Sequence, residues 1–317
     1  MRAAAALLLA SSTAFAQSYP SKPILVVSTA SPASSGDAAL RLIAAKMTAS
    51  MGQPVVVELK TAARGAQAAQ ALSKAGADGY TITYGTSGTY VNARFLFKNL
   101  AFDVLKDFAP ISLAVSSPSY VVVNATVPVN SLRELIDYAK RNPGKLEYAS
   151  TGVGSVFHLT GESLKLYAGI DLLHVPYAQA NFSQMITDWA SGRVALWFPT
   201  YAFLGPNLVN KVKPLAIVDT KRSARFPDLP TVAEIVPGFQ GFPAWWAFFG
   251  PAGLPSPITE RLSDEIRAAL KAPDVQARLN DLGLSTIAST PDELAAHLRR
   301  EIDAVGKLTK AIGLEPE

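Results

Sequence analysis

Between Ile24 and Leu59 the chain alternates strand, small-residue loop, amphipathic helix and strand, an order that commits this stretch to a β-α-β unit. The first strand is ILVVS, Ile24 to Ser28, and the hydroxyl-rich TASPASSGD follows it. Leu40, Ile43, Ala44, Met47 and Met51 then fall at helical spacing, Gly52 is the stop, and VVVEL, Val55 to Leu59, is the next strand. A right-handed crossover between parallel strands is expected. After another helix, YTITYG, Tyr80 to Gly85, supplies a further strand and runs into TSGTY.

The second half repeats this logic. Ser131 and Glu134 form a capping-box pattern ahead of Leu132, Leu135, Ile136 and Ala139, and Asn142-Pro143-Gly144 ends that helix. LEYAS, Leu146 to Ser150, is a strand that enters TGVGS, and Val156, Leu159, Leu164 and Tyr167 mark a helical stripe after it. VALWF, Val194 to Phe198, and PLAIV, Pro214 to Val218, are further strands. Two helices are expected to close the chain, one starting at Ser256-Pro257 and one at Thr290-Pro291-Asp292-Glu293, which runs to about Gly313. No linker rich in Pro and Ser separates the two β-α-β systems. Two domains joined by crossing strands, near LAVSSPSYVVVN and PTVAEIVPGF, account for this, and they leave a cleft between them.

At 317 residues the chain can build two cores without metals or disulfides, and it has no cysteine. Its start, MRAAAALLLASSTAFAQ, combines Arg2, an apolar run from Ala3 to Ala10 and Ala14-Phe15-Ala16 as an A-x-A cleavage pattern, so residues 1–16 read as a secretory leader. The run is far short of the ~20 residues a spanning helix needs. Net charge is +4, one less without Arg2, and Lys and Arg are scattered, which excludes a nucleic-acid partner but not a small anionic ligand.

YASTGVGSVFHLTGE, Tyr148 to Glu162, invites three kinds of chemistry. A dinucleotide loop fails at Phe157, which stands where a third glycine belongs, and no Lys follows for a Walker motif. A serine nucleophile at Ser155 would have His158 one turn along the same helix, whereas such pairs come from different elements, and no G-x-S-x-G elbow is present. His158, His174 and His297 have no metal-ligand spacing, so neither metal nor cofactor is expected. What survives is an anion cradle at a helix start. Ser31 to Asp37, Thr86 to Thr89 and Ser150 to Ser155 each follow a strand with small, hydroxyl-bearing residues. Ordinary turn chemistry explains one such loop better than three.

The motifs YPSKPI, GQPVVVE, ADGYT, FDVLKDFAPIS, NPGKLEYASTGVGS, HVPY, FPDLPTVAE and FFGPAGLPSPI stand in the order found in the Bug family. These are the periplasmic solute-binding proteins of tripartite tricarboxylate transporters, and the chain resembles them from Tyr19 to Gly313. The resemblance implies an α/β, type II periplasmic-binding-protein fold of two lobes, residues 17–118 with 236–317 and residues 119–235, each a mixed sheet flanked by helices. It also implies a periplasmic monomer that is not an enzyme, a small carboxylate ligand and membrane permease subunits as partners. By position, the family's ligand loops fall on Ser31, Pro32, Ala33 and Ser34, on Thr86 and Ser87, and on Thr151, Gly152 and Ser155, with His158 just beyond. Ala30 replaces a customary aromatic, Ala33-Ser34 a glycine pair, Ala178-Gln179 a Lys-Gly, and Pro199, after Phe198, a common Asp. The missing Asp argues against amino-acid ligands, and Tyr84, Trp197, Phe198, Tyr201, Trp245 and Trp246 admit an aromatic carboxylate, although core packing is the commoner role of such side chains. A co-receptor that signals to a sensor kinase and a Ser155 hydrolase are the alternative functions.

Overall fold

A computed structural model describes residues 19–61, 65–178, 181–204, 208, 210–219, 221–223 and 225–316, so the leader lies outside the described residues. The chain opens with β1 (Ile24–Ser28), α1 (Ser35–Met51), β2 (Val55–Leu59), α2 (Ala66–Ser73), β3 (Thr81–Thr86) and the single turn α3 (Ser87–Tyr90). β1 pairs in parallel with both β2 and β3, as β-α-β units require. α1 stops where the sequence places its stop, with Gly52 at φ 69 donating its N–H to Thr48. β4 (Phe108–Ser117) ends this first pass, and Pro118 alone separates it from β5 (Ser119–Asn124), which lies in a different sheet.

The second lobe continues with α4 (Leu132–Arg141), β6 (Glu147–Ser150), α5 (Val156–Ala168), β7 (Leu173–Pro176), α6 (Phe182–Ala190), the two-residue β8 (Leu196–Trp197) and β9 (Val212–Val218). Its sheet order is β7-β6-β8-β5-β9. At α4 the Ser131 hydroxyl accepts the Glu134 N–H, but the Glu134 carboxylate reaches one residue further back and accepts from Asn130. α5 departs from its expected stripe: Leu159 and Leu164 are buried, whereas Tyr167 is exposed. The helix is covered on two sides. Leu164 packs in its own lobe's core and Leu159 in a core of the other lobe, so burial does not follow one apolar line.

β10 (Ala244–Pro251) returns to the first sheet, whose order is β11-β4-β10-β3-β1-β2. On the way back, Val236 and Phe239 still pack in the second lobe's core, and Phe242 is the first side chain in the core shared with Trp245 and Leu294. β10 reads AWWAFFGP because it is covered on both faces. Trp246 and Phe248 join the core under α1, whereas Trp245, Ala247 and Phe249 join the core on the opposite face. Three helices close the chain where two were expected: α7 (Ser256–Lys271), α8 (Pro273–Asp281) and, after the short β11 (Ser285–Thr286), α9 (Pro291–Ala311). Pro273 causes the break. It pushes Ala272 to extended backbone at ψ 130, ending α7, and then serves as the first residue of α8.

Candidate functional site

Each of the three hydroxyl-rich stretches contains a helix N-cap. Ser34 accepts from the Asp37 N–H at 3.2 Å, Thr86 from Thr89 at 3.3 Å, and Ser155 from His158 at 3.2 Å. Capping satisfies only part of a helix start. The N–H groups of Ser35 and Gly36 in α1, and of Val156 and Phe157 in α5, find no partner among the described residues.

The three caps meet at one cavity of about 300 Å3 between the lobes, lined by Ser31, Ser34, Thr86, Ser87, Thr151 and Ser155. Six residues expected at the site do not line it. Pro32 and Ala33 are exposed beside it, with Ala33 held at φ 59, the left-handed conformation that favours glycine. Gly152 shapes the second-lobe loop at φ 107. Phe198 is fully buried in the second lobe's core against Tyr148, and the Pro199 carbonyl accepts the Tyr120 N–H.

His158 lies behind the loop, not in the cavity. Its Nδ1 accepts the Gly154 N–H at 3.1 Å, which fixes the neutral tautomer with hydrogen on Nε2. Its ring lies 4.4 Å from that of His174, which stacks on Tyr148 and bonds Ser150 Oγ at 2.7 Å. Burial, followed by the charge His158 would carry, pulls His174 down to about 4; burial lowers His158 as well. Two neutral imidazoles therefore brace Ser150, Gly154 and the loop between them. Neither has a ring nitrogen bonded to the Ser155 hydroxyl.

The remaining lining divides by origin. Thr29 and Ala30 precede the first stretch, Gly88 lies within the second, and Gly154 and Val156 flank Ser155. Thr61, Asn92, Leu96 and Ala244 come from segments that carry no motif, and only their tertiary position identifies them. Of the six aromatics considered from sequence, Trp245 and Trp246 line the cavity. Tyr84 and Trp197 are fully buried core side chains. Burial, with Asp37 nearby, drives the Tyr84 phenol upward, so it stays neutral. Among the described residues no Lys, Arg, His, Asp or Glu lines the cavity. An anion entering it would meet hydroxyls, amide N–H groups and the positive end of α5, which has no acidic residue in its first turn. At α1 that position is occupied by Asp37, whose carboxylate accepts the Ala33 N–H and pairs with Arg41.

The sequence profile of the tripartite tricarboxylate transporter family receptor matches residues 39–314. The chain belongs to that family. A Pseudomonas sp. (strain P51) relative, a UPF0065 protein in the tcbD-tcbE intergenic region, is 35% identical over 293 residues, 92% of this chain and 86% of the relative. Rpa4515 of R. palustris, solved with adipate, superposes with a TM-score of 0.79 at 30% identity, covering 94% of this chain and 100% of that one. MatC from Rhodopseudomonas palustris, solved with bound malate, gives 0.73 at 30% identity, over 92% and 99%. The architecture is thus the two-lobed type II periplasmic-binding-protein fold, and this receptor is a periplasmic solute-binding protein.

Proposed function

We propose that the receptor captures a small carboxylate between its lobes and delivers it to the membrane permease of its transporter, without chemical turnover. One observation carries this reading: N-caps from both lobes line a single cavity, Val156 brings an unpartnered helix-start N–H of α5 to it, and no ionised side chain stands among its described lining residues. Such a site suits an anion recognised by hydrogen bonds and helix charge. The carboxylates named for Rpa4515 and MatC agree with it. Against a hydrolase stands the geometry of Ser155, whose hydroxyl is spent on its own helix while the neighbouring imidazole faces Gly154. We assign residues 17–118 with 241–317 to the first lobe and 119–240 to the second, a return crossing five residues later than the sequence suggests, because Val236 and Phe239 pack in the second lobe's core.

The test is a thermal-shift panel of di-, tri- and aromatic carboxylates, beside mass spectrometry of ligand released from the purified protein. Ligand at 100 times its Kd adds about 2.7 kcal/mol, a shift of several degrees. For whichever carboxylate binds, Ser155→Gly and Thr86→Gly remove a hydroxyl while changing helix stability by only a few tenths of a kcal/mol. Each should weaken binding about tenfold or more, the loss expected for a hydrogen bond to a charged group. Unchanged affinity in both would remove the cradle assignment, and no shift with any carboxylate would remove the substrate class.

A further inference from the structure

The lobes also meet at the first crossing, where Pro118 and the start of β5 border a second cavity of about 670 Å3. Arg225 of the second lobe crosses it. Its guanidinium donates to the backbone carbonyl of Asn280 at 2.7 Å and to the Tyr201 hydroxyl at 2.7 Å, and it stacks over the Tyr201 ring at 4.0 Å. Asn280 stands in the last turn of α8 in the first lobe, where the helix end is negative and its carbonyl accepts the Gly283 N–H at 2.9 Å beside the guanidinium. A cation from one lobe thus caps a helix of the other. Beneath it, Gly283 at φ 70 lets the first lobe approach Tyr201 so closely that a β-carbon there would stand 2.6 Å from the Tyr201 Cβ.

On the ligand side the jaws are joined in the same conformation. Asn92 Nδ2 donates to the Gly154 carbonyl at 3.2 Å, and Leu96 packs against Gly154. The Asn92–Gly154 and Arg225–Asn280 contacts therefore belong to one state of the hinge.

We propose that Arg225 is a positioning residue for ligand capture: its bond to α8 holds the lobes at the angle at which the Asn92–Gly154 contact forms, and so it sets the population of the closed receptor without touching ligand. The guanidinium suits this role because its fixed fork serves Tyr201 and Asn280 together, which a lysine ammonium cannot reproduce with the same geometry. Removing it leaves both lobe cores intact and shifts an equilibrium between two hinge angles.

Because the chain has no cysteine, spin labels can be placed on Lys106→Cys in the first lobe and Leu173→Cys in the second, both exposed positions, and interlobe distances read in ligand-free protein. Arg225→Ala should raise the longer-distance population at least fivefold while the melting temperature moves by no more than a degree or two. Arg225→Lys should fall between it and the parent. A distance distribution unchanged in Arg225→Ala, or one shifted to shorter distances, overturns the proposal. So does a matching change in Arg225→Met and Arg225→Lys, since packing alone would then account for it. The measurement needs no ligand, so the proposal stands or falls apart from the carboxylate reading. With a bound carboxylate, the same loss should appear as faster dissociation with association little changed.

Discussion

The histidines show how one residue's chemistry follows from where it is packed. His158 was legible as a helix-start residue three positions after an N-cap, but not the partner behind it, because His174 comes from β7, in an adjacent strand of the sheet. Together they brace the loop as neutral rings, and that has a pH consequence. His174 is held near 4 when folded against an ordinary value of 6.5, so between these values the unfolded chain binds more protons than the folded one. Stability is therefore complete above about pH 6.5 and falls as pH drops toward 4, and the lowered His158 acts in the same direction. The neighbouring Glu162 and Lys165, paired at 3.1 Å, push the rings in opposite senses. His174→Gln should flatten the drop in urea midpoint between pH 7 and pH 4.5. A variant that tracks the parent across that range would show that the pair does not titrate there.

Among elements, legibility depended on whether the signal was local. The start of α9 was local: Thr290 and Glu293 form the reciprocal capping box, with the Thr290 hydroxyl accepting from Glu293 and the Glu293 carboxylate accepting from Thr290. Thr290→Ala should cost about 1 kcal/mol and lower the thermal midpoint by about 2 °C, and Thr290→Ser should recover most of it. An Ala variant as stable as the parent would mean that packing of Leu294 and Leu298 alone sets where this helix begins. β8 was local in composition but not in extent. VALWF has five apolar residues, yet only Leu196 and Trp197 are strand, because β6 and β8 share a single register pair and β5 offers only Val122 and Val123. α8 is hard to read from sequence because Pro273 is both the stop of one helix and the start of the next.

At the scale of the whole molecule the two lobes could be anticipated from two β-α-β systems without a linker, whereas the way they grip could not. The jaw contact is made by Asn92 and Leu96 against Gly154, and sequence offers no reason to pair residues so far apart. The same distance hid most of the cavity lining that lies outside the three hydroxyl loops. Gly154 nevertheless concentrates the whole arrangement in one position. It sits at φ 73, it presents its carbonyl to Asn92, and a β-carbon added there would lie 2.0 Å from Leu96 Cδ2. Gly154→Ala should therefore keep the jaws from meeting, with a strain of about 1–2 kcal/mol from the left-handed backbone added to the collision. Affinity for a bound carboxylate should fall at least tenfold, about 1.4 kcal/mol, while each lobe's core, remote from this contact, remains folded. Trimming the obstructing side chain separates collision from backbone strain. If closure is what fails, Gly154→Ala with Leu96→Ala should bind more tightly than Gly154→Ala alone, because the second change makes room for the added carbon. If the double variant binds no better, the loop's own conformation, not the meeting of the jaws, limits ligand capture.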